Sequence, residues 1–256
     1  MNLENYFDTF LISMACLAIL VFIALFYVRA GYGKFYNKSW GPTIGNRIGW
    51  VVMEAPVFIL MSIFWLTSDR TFSLPHIILF AFFQVHYFQR SFIFPLLIRG
   101  KGVMPLSVIL MGLIFNSLNA LMQGGWIFYI SDFSYYTTEW FTTPPFLFGA
   151  LTFIFGMVIN IHSDYIIRHL RKPGETRHYL PQKGMFKYVT SANYFGEFLE
   201  WTGYALLTWS WSGAVFALWT FANLAPRANA IRESYKQQFP EAFKHKNIKR
   251  IIPFIY

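Results

Sequence analysis

The 256-residue chain contains one cysteine, Cys16, set in an apolar run. That excludes an intramolecular disulfide and a cysteine-ligated metal site. Charge is scarce as well. Asp, Glu, Lys and Arg make up 13% of the residues, against roughly 25% in soluble domains. A GxxxxGK[ST] phosphate loop is missing. Gly31-Tyr32-Gly33-Lys34 resembles part of one, but it follows an apolar helix and not a strand, and GxGxxG is not completed, so a Rossmann domain is excluded. The six histidines, His76, His86, His162, His169, His178 and His245, include no HExxH and no close pair. That argues against a zinc protease or a histidine-clustered di-iron oxidase, and no metal is expected. No internal repeat or low-complexity segment appears, which weighs against a transporter, since transporters are commonly built from inverted repeats. The N-terminus lacks a basic n-region and a small-residue cleavage site, so the first apolar run reads as a retained helix.

What the chain does have is apolar bulk: 55% of its residues are hydrophobic, and Phe alone occurs 30 times. The composition is that of a membrane protein, and the length fits a single domain over 1–256. A spanning helix needs about 20 mostly apolar residues. Such runs lie near 7–29, 48–68, 74–98, 104–130, 145–168, 193–210 and 212–230. The expectation is an all-α polytopic membrane protein with seven transmembrane helices, the last two forming a tight hairpin about Trp211-Ser212-Gly213. The net charge of +9 would fit nucleic acid in a soluble protein. Here it fits basic cytosolic loops, and no nucleic acid is expected.

The charges sort by loop. Basic residues fill the segments near 29–47, 99–103 and 168–192 and the C-terminal tail, whereas the alternate segments carry Glu4 and Asp8, Asp69 with Arg70, and Asp132 and Glu139. Basic side chains stay on the side that needs no translocation. This places the N-terminus outside and the C-terminus in the cytosol, with Arg70 breaking the pattern. The membrane is the endoplasmic reticulum or a bacterial inner membrane, according to the source. The bilayer is the expected environment, and the expected state is a monomer.

Ionisable groups inside spans are costly and mark functional sites. They are Glu54, His86, Arg90, Asp164, Glu197 and Glu200, joined by the amides Asn160 and Asn193. Asn160, Asp164, Arg168 and Arg171 recur at helical spacing on one face, and Asn193, Glu197, Glu200 and Tyr204 do so on the sixth helix. Tyr87 and Arg90 lie three apart on the third. Lipid offers no hydrogen bonds, so these stripes face partners or a wet cavity. Mutual pairing, such as Arg90 with Glu197, is one reading. A cavity that takes an anionic ligand from the cytosolic side accounts for more of the stripes at once.

The chain contains NIHSDYIIRHLRKPGE at 160–175, VHYFQRSFIFPLLIRG at 85–100, MEAPVF at 53–58, SANYFGEFLEWTGYAL at 191–206, GYGK at 31–34 and IIPFI near the end. These stretches resemble the steroid 5α-reductase family (3-oxo-5α-steroid 4-dehydrogenases). The resemblance runs from about residue 30 to the end, in the same order and with similar spacing. It departs at Ala230-Ile231-Arg232-Glu233-Ser234, where relatives have a histidine-rich stretch. The resemblance implies a seven-helix membrane enzyme that reduces the Δ4 double bond of 3-oxo-steroids with NADPH. It assigns Glu54 and Tyr87 as catalytic residues at the substrate ketone. It assigns Tyr32, Arg90, Asn160, Asp164, Arg171, Asn193, Glu197, Arg227 and Tyr235 to the cofactor. The expected substrate is a hydrophobic small molecule of the Δ4-3-ketosteroid type.

The chemistry suits those side chains. Hydride addition to an enone puts negative charge on the ketone oxygen, which hydrogen-bond donors stabilise. Tyr87 is a natural donor; Glu54 donates only when protonated, the form an apolar surrounding favours for a carboxyl. Guanidinium groups pair with phosphate oxygens. Trans-2-enoyl-CoA and polyprenol reductases share the C-terminal signatures, and isoprenylcysteine methyltransferases, which use S-adenosylmethionine, have a related bundle. From another class, a transporter or lipid-binding protein would use the stripes to line a pathway.

Overall fold

The computed structural model describes residues 3–170, 175, 179–244 and 247–256. Its helices are α1 (Leu3–Tyr27), α2 (Asn46–Thr67), α3 (Leu74–Phe88), α4 (Phe94–Leu97), α5 (Leu106–Gly125), α6 (Pro144–His169), α7 (Ala192–Thr208), α8 (Trp211–Gln238) and α9 (Pro240–Lys244). A π-turn over Gln89–Ile93 joins α3 to α4, and another over Trp126–Ile130 extends α5. The first has a local cause. Pro95 has no N–H to give the Ser91 carbonyl, and its ring crowds that carbonyl. The turn widens, and the Phe94 N–H bonds back to the Gln89 carbonyl.

Among the described residues, five helices are long and apolar enough to cross a membrane: Leu3–Tyr27, Asn46–Thr67, Leu74–Leu97, Leu106–Ile130 and Pro144–His169. They mark an all-α polytopic membrane protein. Helices α7 and α8 form at the positions expected for the last two spans but are not among the five. The former has 17 residues, and the latter continues past residue 230 into polar sequence ending at Gln238. Their hairpin breaks at Trp209, which has φ 44°, and Ser210, whose Oγ accepts from the Gly213 N–H at 3.0 Å. The break lies just before the expected Trp211 because a serine cap and a left-handed residue stop the helix there.

Helices α6 and α7 are held together by glycine. Gly149 and Gly156 on α6 face Gly203 and Gly196 on α7, and a Cβ at any of the four would press into the partner's backbone. Without Cβ atoms the two backbones approach closely, as small residues allow between membrane helices. The seam brings the Asn160 end of α6 beside Gly196, within one turn of Asn193 and Glu197. In an ordinary helix Gly→Ala gains about 1 kcal/mol of propensity. Here overpacking, typically about 1–3 kcal/mol, opposes it. Gly156→Ala and Gly196→Ala are therefore expected to lower the melting temperature of the detergent-solubilised protein, whereas Gly45→Ala, with open space around it, leaves it unchanged. Equal melting temperatures for all three would contradict the seam.

A short antiparallel ribbon pairs β1 (Thr43–Gly45) with β2 (Val103–Pro105), in the register Thr43↔Pro105, Ile44↔Met104, Gly45↔Val103. It starts α2 and α5 side by side. The basic segments meet at the same end. Arg47 donates to the Ile98 carbonyl (2.7 and 3.1 Å), Arg99 to the Arg168 carbonyl (3.2 Å) and Arg227 to the Tyr32 carbonyl (3.1 Å). At the other end Tyr136 and Trp140 donate to the Thr208 and Leu207 carbonyls. Arg70, the exception in the charge pattern, is buried there. Its guanidinium donates to the Ile127 carbonyl, to Ser131 Oγ and to the Ser131 carbonyl. It is an internal clasp and not a surface charge. The core between the two ends includes Val57, Met61, Leu79, Phe83, Phe153, Trp201 and Tyr204, all buried, while apolar residues such as Ile12, Ile23, Phe148 and Phe155 remain exposed on the outside.

Candidate active site

Three clusters follow one another from the core to the basic end. In the first, Glu54 on α2 and Tyr87 on α3 are both hydrogen-bonded to α5. Asn116 Nδ2 donates to Glu54 Oε2 at 3.1 Å and to the Met53 carbonyl at 2.8 Å. One turn further on, Asn119 Nδ2 donates to Tyr87 Oη at 2.9 Å. Gln123 Nε2 donates to Asn119 Oδ1 at 3.4 Å and to the Ser212 carbonyl at 3.0 Å. Glu54 is half-buried; Tyr87, Asn116, Asn119 and Gln123 are buried. The Tyr87 ring packs against Phe83 (4.7 Å between centroids) and Trp201 (5.5 Å). Beside it, His86 Nδ1 lies 2.7 Å from Glu200 Oε1, and Glu200 Oε2 has no hydrogen-bond partner among the described residues.

The second cluster centres on Arg90, which follows Tyr87 by three residues and sits in the π-turn. Its guanidinium donates to Asp164 Oδ2 at 3.2 Å and lies 3.7 Å from Glu197 Oε2. Its carbon centre stands 4.3 Å from the ring centroid of Phe94 and 4.9 Å from that of Trp50. Asn193 Nδ2 donates to Asp164 Oδ1 at 3.2 Å, and Asn160 Nδ2 to the Asn193 carbonyl at 3.0 Å. The Arg90–Glu197 pairing does form, and Asp164 joins it.

The third cluster lies at the basic end. Arg227 on α8 donates to Tyr194 Oη at 2.9 Å, and its guanidinium stacks 3.8 Å from the Tyr32 ring centroid. Gly33, at φ 61°, leaves room for the same guanidinium, and a Cβ there would stand 3.3 Å from it. Lys34 Nζ lies 3.7 Å from the centroid of the Tyr235 ring. A hollow lined by Arg29, Tyr32, Phe35, Pro226 and Arg227 opens beside them. Arg171, expected at the cofactor, falls outside the described residues.

Of the residues assigned to the substrate or the cofactor, all but Arg171 fall into these three groups, whereas Tyr204 is part of the core. The α5 amides do not stand out in the sequence, although Asn116, Asn119 and Gln123 recur three and four apart within one apolar run. Unlike Asn160 and Asn193, they share their helix with no charged residue that would flag them.

Residues 102–256 match the family model described as 3-oxo-5-alpha-steroid 4-dehydrogenase. The chain belongs to this family of oxidoreductases. Its likeness to named members extends well beyond residues 102–256. It is 40% identical over 241 residues to mouse (Mus musculus) 3-oxo-5-alpha-steroid 4-dehydrogenase 1, covering 93% of this chain and 92% of the relative. It is 43% identical over 227 residues to the human (Homo sapiens) protein of that name, covering 88% and 86%. It is 36% identical over 253 residues to the steroid 5-alpha-reductase DET2 of Arabidopsis thaliana, covering 94% and 95%. At such coverage the span shared with 3-oxo-5-alpha-steroid 4-dehydrogenases takes in helices from each of the three clusters.

Proposed function

We propose that the protein reduces the Δ4 double bond of 3-oxo-steroids to 5α-dihydro-3-oxo-steroids with NADPH. It does so in one domain of seven membrane spans, N-terminus outside and basic end in the cytosol. The observation that carries the reading is the placement of Glu54 and Tyr87. Two side chains able to donate a proton or hydrogen bond come from different helices and are held one turn apart on α5. Family membership supports the reaction class, and the gathering of basic segments at one end supports the orientation.

In this reading the ketone oxygen of the substrate lies between Glu54 and Tyr87. Hydride arrives at the β-carbon of the enone, electron density moves to that oxygen, and a proton is added at the α-carbon. Tyr87 Oη–H and protonated Glu54 donate to the oxygen, and their donation strengthens as its charge grows. Trp201 and Phe83 hold the Tyr87 ring in place and keep water away from it.

The donor set fits a nicotinamide dinucleotide. Arg227, beside Tyr32, and Lys34, beside Tyr235, provide cations for phosphate oxygens. Asp164 Oδ1 and Oδ2 each accept one hydrogen bond among the described residues, and a carboxylate oxygen has a second lone pair suited to a ribose hydroxyl. Asn160, Asn193, Glu197 and Arg90 surround them. NADPH supplies the hydride when bound.

The test is an assay of the purified, bilayer-reconstituted protein with NADPH and three substrate classes: Δ4-3-oxo-steroids, enoyl thioesters and polyprenols. The expected result is loss of nicotinamide absorbance with the steroid and a 5α-dihydro product. Turnover of a thioester or polyprenol alone would overturn the substrate assignment, and no NADPH consumption with any of them would overturn the reductase.

A further inference from the structure

We propose that Asn116, Asn119 and Gln123 of α5 are positioning residues: a directed amide relay that turns the donor hydrogens of Tyr87 and Glu54 away from α5 and toward one shared point. The inference rests on the reading of Glu54 and Tyr87 as the groups that polarise the ketone. It adds what decides where their hydrogens point.

The direction of an amide is ambiguous on its own, because its oxygen and nitrogen are alike in shape. Backbone carbonyls remove the ambiguity, since they only accept. Gln123 lies 3.0 Å from the Ser212 carbonyl, so the group facing Ser212 is the NH2. The same NH2 reaches Asn119 at 3.4 Å, so the Asn119 oxygen faces Gln123. The Asn119 nitrogen therefore faces Tyr87, at 2.9 Å from Oη. A phenol oxygen that receives an N–H cannot send its own hydrogen along the same line. The Tyr87 hydrogen must point elsewhere.

The second branch works in the same way. Asn116 lies 2.8 Å from the Met53 carbonyl, so its NH2 faces that carbonyl. The NH2 also reaches Glu54 Oε2 at 3.1 Å. Oε2 accepts on that side, so an acid hydrogen carried by Glu54 points away from Asn116. Asn116, Asn119 and Gln123 are 5%, 0% and 1% exposed. Water does not compete for their hydrogens, and the polarity set at Ser212 on α8 passes without interruption to Tyr87 on α3. The Ser212 and Met53 carbonyls fix the sense of the amides, and that sense bears on the reaction through the hydrogens of Tyr87 and Glu54.

The test compares variants that keep shape and change polarity. Asn119→Asp replaces the donor facing Tyr87 with an acceptor, which captures the phenol hydrogen. Asn119→Leu removes the donor and leaves the hydroxyl free to turn. Both are read as kcat on a Δ4-3-oxo-steroid, with the NADPH dissociation constant measured on the same preparations as the check on folding. The expected result is a fall in kcat for Asn119→Asp of about 10²-fold, comparable to removal of a single oxyanion donor. A smaller fall is expected for Asn119→Leu, and NADPH affinity stays at the parent value for both. In a Tyr87→Phe background neither change should lower kcat further. Gln123→Met, which cuts the link to Ser212, gives a second route: it should lower kcat in the parent and not in Tyr87→Phe.

If these variants lower kcat equally in both backgrounds, the amides are structural and the relay is overturned. The same holds if they leave kcat unchanged while Tyr87→Phe reduces it. If Tyr87→Phe itself turns over at the parent rate, the reading of the site fails first, and the relay with it.

Discussion

Replacing Tyr87 with Phe is expected to lower kcat on a Δ4-3-oxo-steroid by about 10²–10³-fold, the usual cost of losing one donor to a developing oxyanion. NADPH affinity should stay at its parent value, because the Tyr87 hydroxyl bonds Asn119 and none of the residues placed at the cofactor. Packing should also survive. The ring contacts with Phe83 and Trp201 involve the face and edge of the ring and not the hydroxyl. Glu54→Gln should lose most turnover as well, since an amide N–H is a weaker donor than a carboxylic acid. The two losses will not add, because both groups act on one oxygen and removing either disturbs what the other can do. Steady-state kinetics with a cofactor titration on each variant checks this. Parent-rate turnover by either variant contradicts its role.

The second large effect concerns Arg90. Its side chain is 10% exposed and lies against Asp164, 7% exposed, and Glu197, 19% exposed. Removing one member of a buried ion pair leaves uncompensated charge and costs about 3–5 kcal/mol. Arg90→Met is therefore expected to lower the melting temperature sharply and to abolish NADPH binding, because Asp164 and Glu197 lose the cation between them and Asp164 in turn positions Asn193. Arg90→Lys should recover only part of this, since an ammonium is a point charge and cannot fork between two carboxylates while lying on the Phe94 and Trp50 rings. Adding Asp164→Asn to Arg90→Met should restore stability, because a buried charge is removed, without restoring cofactor binding. Thermal unfolding and cofactor titration on the set decide it: an Arg90→Met protein as stable as the parent would show that the network contributes nothing to the fold.

Much of this arrangement is legible in the sequence because apolar length and helical spacing are physically binding in lipid. Apolar runs mark every long helix, and the four-residue steps Asn160–Asp164 and Asn193–Glu197 mark two faces that do meet. What those patterns leave open is pairing. Spacing shows that Arg90 needs a partner but not that Asp164 and Glu197 share it. Helix α8 runs on to Gln238; its extension is polar, so a search for apolar length stops short of it. Arg70 counts as a loop charge in the sequence, and burial is invisible to a count. The glycines at 149 and 156, and at 196 and 203, recur at seven residues. Within apolar runs they read as filler, and only the facing helix shows them as a seam. The amides of α5 stay hidden for a related reason: their spacing is as regular as that of the charged stripes, but no cost of burying charge draws notice to them.

The central claim is that hydride passes to the β-carbon of an enone held between Glu54 and Tyr87. The most direct measurement uses NADPH deuterated at both hydrogens of its nicotinamide C4 and a Δ4-3-oxo-steroid, with the product analysed by mass spectrometry and NMR. The expected product is a 5α-dihydro steroid with one deuterium, placed on the former β-carbon, formed by the parent enzyme and scarcely at all by Tyr87→Phe. A product without deuterium, or with deuterium on the carbon that bore the ketone oxygen, would contradict it.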